Sequence, residues 1–321
     1  MKSLDSYRKV VRESDSCFVT LSGGLGNQLF QYCFAQHLSD VLRVPVYLDV
    51  SLLSLSHKSE NSRPSIQSLY GKKLLQIDSI MKISAILANH SMYFSHQEKS
   101  NFRSFISKVC LDLKLNFVQQ TSMIFDSSIK CQERSYYFGS YATHEYWSSS
   151  FDSRMQEVNK SLVEYISMSR RLVEKEPDVV VHARRGDYAR NPKTRRIHGV
   201  YGINYYLKVL SNLSNIKRRE IVILSDDTHF ALLLKIEIER MFGAQAVKLA
   251  SSSDPLYILA KYRDAKVFIG CNSTFSWWLA YLGPDKLRFL PTNWFDEGKF
   301  GFDRYNYFPL ETNLISFPFE K

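Results

Sequence analysis

Val179-Val180-Val181-His182-Ala183-Arg184-Arg185-Gly186-Asp187-Tyr188 sets an apolar, β-branched run directly before two adjacent guanidiniums. The valines read as a strand buried within a sheet, because β-branched side chains pack well on a pleated surface. The turn signal Glu176-Pro177-Asp178 stands just ahead, so the strand is expected over residues 179–182. Downstream, helices are expected near residues 204–212, 230–241 and 255–262, alternating with strands at 221–224, 267–270 and 287–290. The third of these helices has its own start signal, Pro255 in the first turn behind Ser253 or Asp254 as cap. This order predicts an α/β fold with a parallel, doubly wound sheet, whose ligands lie beyond the carboxyl ends of the strands.

Upstream, a strand is expected at 17–21, a glycine turn at 22–26, a helix at 27–40 and a second strand at 45–49. Leu29, Phe30, Cys33, Phe34 and Leu38 recur at three- and four-residue spacing, which gives that helix one buried stripe. Residues 51–132 mix helical periodicity near 77–88 with Ser-rich and Lys-rich connections and carry no motif. An aromatic strand over 136–141 precedes a helix that sets Phe151, Met155, Val158, Leu162 and Ile166 on one face. A chain of 321 residues accommodates two ordinary domains, with the division expected between 16–145 and 146–321.

The formal charge of +10 and a pI near 9.2 suit any polyanion and choose none, so nucleic acid, anionic membrane and phosphorylated small molecules are all admissible. Of the two densest basic stretches, 184–196 and 217–219, the second reads as a solvated face. Cys17, Cys33, Cys110, Cys131 and Cys271 are odd in number and widely spaced, which indicates neither a disulfide framework nor a zinc site and favours a reducing compartment. Residues 1–19 lack an apolar core of signal-peptide length, and no later run approaches about 18 apolar residues. A cytoplasmic protein without a transmembrane segment is therefore expected. Peripheral membrane association stays compatible with the basic surface, and the oligomeric state is left open.

Three segments follow expected strands, where an α/β fold presents its chemistry. Gly24 and Gly26 begin a G-x-G, but Leu29 stands where the dinucleotide fingerprint needs its third glycine, and no GK[ST] follows. A tight turn and a phosphate cradle both fit; the Asn27 and Gln28 amides at the helix start can fix a ligand. Arg184 and Arg185 leave a strand end together, which is costly unless an anion meets them, and arginine suits bidentate phosphate contacts. Pairing of one with Asp187 while the other faces solvent is the ordinary alternative. Asn272-Ser273-Thr274-Phe275-Ser276-Trp277-Trp278 opens a helix whose free N–H groups and hydroxyls make an anion site. A plain N-cap by Ser273 or Thr274, with the tryptophans as core, fits as well. Between these, Asp226 and Asp227 end a strand and can accept bonds from a ribose or base edge, or cap the next helix. They do not form a DxD arrangement, so no metal site is expected.

In order, GGLGNQLFQY, HARRGDY, LSDD and NSTFSWW resemble the alpha-1,2-fucosyltransferases of glycosyltransferase family 11. Gly199, Tyr205-Tyr206 and residues 291–294 extend the resemblance, which spans 16–298. It implies a GT-B-like fold, two Rossmann-type lobes with parallel sheets facing across a cleft, the first on the acceptor side and the second binding GDP-fucose. It implies an inverting, metal-independent transfer of L-fucose from GDP-β-L-fucose to a galactose-containing acceptor glycan, forming an alpha-1,2 linkage, with no cofactor beyond that donor substrate. By motif, Arg184 would hold the β-phosphate with Arg185 beside it, and His182 with Asp226 or Asp227 would meet the guanosine. Asn272, Ser273, Thr274 and Ser276 would hold the pyrophosphate. Gly26, Asn27, Gln28 and Tyr188 would face the fucose or acceptor. Asp187 is the leading candidate base, with Glu145 and His198 as rivals. The family often carries Gly-Tyr-Phe-Gln where residues 138–143 stand here, and a Lys where Thr292-Asn293 precede Trp294; both differences bear on acceptor choice. An alpha-1,6 or O-fucosyl transferase shares the Arg-Arg block but not NSTFSWW. An RNA-binding role for 184–196 lacks any accompanying RNA-binding signature.

Overall fold

The computed structural model describes residues 15–49, 102–121, 125–168, 176–252, 254–295, 307–309 and 312–320, so the periodicity near 77–88 lies outside the described residues. The chain divides into two units, Met1–Phe151 and Asp152–Lys321.

In the first unit, β1 (Cys17–Thr20), β2 (Val46–Asp49), β3 (Asn116–Gln119) and β4 (Ser135–Phe138) form a wholly parallel sheet of order β2-β1-β4-β3. Helix α1 (Leu25–Leu42) leaves the glycine turn and buries Leu29, Phe30, Cys33, Phe34 and Leu38, the stripe its spacing predicts. It begins at Leu25 rather than residue 27, because Gly24 takes the N-cap position. Helix α2 (Phe102–Leu113) precedes β3. β4 stops at Phe138 instead of running to 141: the Gln120 side-chain oxygen accepts the N–H groups of Ser140 (3.0 Å) and Tyr141 (2.8 Å), and Tyr141 turns to φ 46°. A 3-10 helix, His144–Ser150, sets the Trp147 ring 6.2 Å from Phe30 on α1. The units part at Phe151/Asp152, where the sequence reading sets the division at 145/146.

The second unit holds β5 (Val179–Ala183), β6 (Ile221–Ser225), β7 (Val247–Leu249), β8 (Val267–Ile269), β9 (Leu287–Pro291) and β10 (Asn313–Ile315), all parallel, in the order β10-β9-β8-β5-β6-β7. The three valines of β5 are fully buried at the centre of this sheet. Its two short edges, β7 and β10, had no apolar run to announce them. The helices are α3 (Phe151–Met168), α4 (Gly186–Arg190), α5 (Pro192–His198), α6 (Ile203–Leu210), α7 (Thr228–Phe242), α8 (Pro255–Tyr262) and α9 (Thr274–Tyr281). The basic stretch after β5 thus forms two short helices, the second capped by Asn191, which accepts from Lys193 and Thr194, with Pro192 in its first turn. Asp254 caps α8, and Ser253 lies outside the described residues. Trp277 and Trp278 are fully buried, as a packing role requires.

From β5 the chain lays β6 and β7 on one side, then returns to build β8, β9 and β10 on the other. The winding therefore reverses between β5 and β8. In open α/β sheets the crevice at such a reversal is where ligands bind.

Candidate active site

The segments singled out from sequence in the second unit meet at this reversal. Strand pairing brings Val181 opposite Ile269 and Ala183 opposite Ser225, so the loops after β5, β6 and β8 emerge side by side. The loop after β5 is pinned to the one after β8 twice. The Arg184 N–H donates to Cys271 Sγ at 3.1 Å, and His182 Nδ1 lies 2.6 Å from Ser276 Oγ. Ser276 Oγ also accepts the Cys271 N–H at 3.0 Å, which closes the buried knot.

Asp226 joins the loops after β5 and β6. One of its oxygens accepts the N–H groups of Arg185 (2.8 Å) and Gly186 (3.0 Å), while the other meets the Arg184 guanidinium at 2.6 Å. A Cβ at Gly186 would run into this carboxylate, so a larger residue there would displace Asp226 from its partners. Arg184 donates on its second arm to Asp187 at 2.5 Å and lies 5.6 Å over the Tyr188 ring, which itself stacks on His198 at 4.4 Å. The Arg184 side chain keeps 35% exposure and that of Asp187 47%. A guanidinium held by two carboxylates and still open to solvent is a preorganised cation.

Several expected contacts are taken up internally. Arg185 does not stand beside Arg184: its side chain is 14% exposed, donates to Tyr201 O (3.1 Å) and Glu320 (2.8 Å), and lies 4.2 Å over Phe230. Asp227 caps α7 by accepting from Phe230. Asn272 donates to the carbonyls of His198 (2.6 Å) and Trp294 (3.3 Å), tying two loops together. Ser273 is the N-cap of α9, accepting from Phe275, and Thr274 is half-buried at the first position of that helix. In the first unit, Gln28 is fully buried and donates to Gly23 O at 3.0 Å, so it supports the turn instead of presenting an amide. Asn27 is half-buried and packs on Gly23, whose φ of 75° suits glycine, while Gly26 is buried within the helix. Of the rival bases, His198 sits beside Tyr188, whereas Glu145 belongs to the first unit and lies 3.5 Å from His144. Among the described residues, no group of three His, Cys, Asp or Glu is placed to hold a metal ion.

The family model for Glycosyl transferase family 11 matches residues 16–307. The chain belongs to glycosyltransferase family 11. This family 11 chain is 25% identical over 297 residues to the O-antigen biosynthesis glycosyltransferase WbnK of Escherichia coli, covering 86% of itself and 93% of that protein. It is also 25% identical over 296 residues to an alpha-1,2-colitosyltransferase of Escherichia coli, covering 86% and 91% respectively. Among solved structures it resembles POFUT1 in complex with GDP (14% identity, TM-score 0.41, 85% of this chain and 97% of that chain). NodZ alpha-1,6-fucosyltransferase with GDP is similar at 10% identity and TM-score 0.39, with 85% and 93% covered.

Two buried supports, one in each unit, escaped the reading of the sequence. Gln31 is buried, donates to Ser22 Oγ (3.0 Å) and Gly139 O (2.8 Å), and accepts from the Ser22 N–H (2.9 Å), locking the glycine turn to the end of β4. Its spacing of three from Gln28 on one helix face was the available signal. Cys271, fully buried beneath Arg184, was signalled only by its place just after a strand.

Burial holds both His182 and His144 down at about 4, and each is therefore neutral at pH 7. Because the unfolded chain takes up these protons first, near pH 6.5, the stability from the neutral rings is fully present above that value and lost as pH falls toward about 4. The melting temperature is expected to drop by several degrees as pH falls from about 6.5 to 4.5. Scanning calorimetry across that window checks this, and an unchanged melting temperature down to its lower limit would contradict it.

Proposed function

We propose that the protein transfers L-fucose from GDP-β-L-fucose to a galactoside hydroxyl, with inversion, without a metal ion, and with formation of an alpha-1,2 linkage. The reading rests on one observation: the doubly anchored Arg184 guanidinium and the first turn of α9 lie at neighbouring strand ends, β5 and β8, at the reversal of the sheet. Glycosyl transfer leaves negative charge on the departing diphosphate. A fixed cation and a helix N-terminus are the groups that stabilise such charge as it develops. Arg184 is assigned the β-phosphate, and Thr274 with the N–H groups behind it the pyrophosphate. His182, neutral and buried, is assigned the guanosine side of the pocket. Asp187, ion-paired to Arg184, fits an orienting role as well as that of the base which takes the acceptor proton; His198, pushed down by burial, is the alternative base. Asn27 in the first unit is assigned the sugar, and the reaction is assigned to the cytoplasm.

One relative is named for colitose, which favours a second reading in which the donor carries that sugar instead. Incubating purified protein with GDP-fucose or a colitosyl nucleotide, a panel of galactosides and excess EDTA, then determining linkage by NMR, separates the two. Alpha-1,2-fucosylated product is expected. Product from the colitosyl donor alone would replace the sugar, and an absolute need for Mn²⁺ would overturn the metal-independent mechanism.

A further inference from the structure

The second arginine of the pair, expected beside the first at the β-phosphate, turns away from it and is the better buried of the two. Its surroundings are supplied by a segment that carries no motif. After β10 the chain runs through residues 316–320 with Phe317 and Phe319 packed on the core of the second unit and Glu320 facing outward. The Glu320 N–H donates to Val200 O at 2.7 Å, and Arg195 donates to Glu320 O at 3.3 Å. The Phe319 ring lies 4.9 Å from Tyr201 and fills the space over Gly199, where a Cβ would strike the ring and φ is 68°. The segment is thus anchored by backbone, ring and side-chain contacts within a few residues of Arg185's partners.

Glu320 is the close carboxylate for Arg185, at 2.8 Å, whereas Asp227 stands off at 3.8 Å. The Arg185 N–H in turn binds the same Asp226 carboxylate that holds Arg184. We infer that residues 317–320 form a strap that positions the Arg184 turn, with Glu320 as a positioning residue acting through Arg185. The physical reason is competition. A poorly hydrated guanidinium deprived of Glu320 seeks the next carboxylate, and those within reach of its loop are Asp227 and Asp226. Drawing Arg185 toward Asp226 takes that carboxylate from Arg184 and loosens the cation the reaction needs.

This inference rests on the proposed role of Arg184 at the diphosphate. It is tested with Glu320→Ala, Glu320→Asp, Arg185→Met and the Glu320→Ala/Arg185→Met double variant, measuring kcat, donor and acceptor KM, GDP affinity and melting temperature on the full chain. Glu320→Ala is expected to lower kcat about tenfold, the scale of coupling within one ion-pair network, with little change in acceptor KM or melting temperature. Glu320→Asp should recover part of the loss. The double variant should be no slower than Arg185→Met alone, since the competing guanidinium is gone. An active wild type with Glu320→Ala within about twofold of it, or with losses that simply add in the double variant, would sink the strap and leave the proposed function standing. A wild type that neither binds GDP nor transfers any sugar would take down both.

Discussion

Arg184→Ala is expected to keep the fold and lose transfer. Among the described residues the side chain meets Asp226, Asp187 and the Tyr188 ring, and it remains part-exposed, so its removal opens no cavity in the core. Asp226 retains two backbone N–H partners without it. What disappears is the cation proposed for the leaving diphosphate, and deleting such a preorganised group typically costs about 10²–10³ in rate. Arg184→Lys should rescue little, because a single ammonium cannot bridge two carboxylates and a phosphate as a planar fork does. Steady-state rates alongside melting temperatures decide the matter; an alanine variant with more than about a tenth of wild-type kcat would remove Arg184 from the mechanism.

Asp226→Ala is the second large effect, and it separates two roles. Were this carboxylate only a guanosine contact, as the family resemblance suggested, its loss would raise donor KM and spare kcat. The geometry assigns it more: it receives the N–H groups of Arg185 and Gly186 and clasps Arg184. Removing it leaves two loop N–H groups without their acceptor and frees the guanidinium to which the proposal gives the leaving diphosphate. The expected result is a kcat reduced about 10²-fold together with a lowered melting temperature, whereas Arg184→Ala lowers kcat alone. Asp226→Asn, which keeps one acceptor oxygen, should recover stability before it recovers rate. A pure KM effect in both variants would return Asp226 to the nucleotide base.

Much of this architecture is written locally. Val179 to Val181 announce the central strand of the second sheet, and Leu29, Phe30, Cys33, Phe34 and Leu38 the buried stripe of α1, because burial repeats with the period of the element that carries it. The short edges β7 and β10 were missed, since a three-residue strand at a sheet margin has no period to show. Asn191-Pro192 was a legible cap that the density of positive charge around it obscured.

The chain's sequence alone determined the α/β class, the βαβ opening, the strand ends at which chemistry is presented and the ordered blocks that mark family 11. Tertiary structure alone decided what each polar group in those blocks does. Adjacent residues share a sequence address but not a partner: Arg184 turns to Asp226, and Arg185 to Glu320, which is 135 residues away. Asn272 likewise spends its amide N–H groups on the carbonyls of His198 and Trp294, which only the folded chain brings near. A side chain's direction is set by the charges and carbonyls it meets after folding, and those come from strands and segments that no local pattern connects.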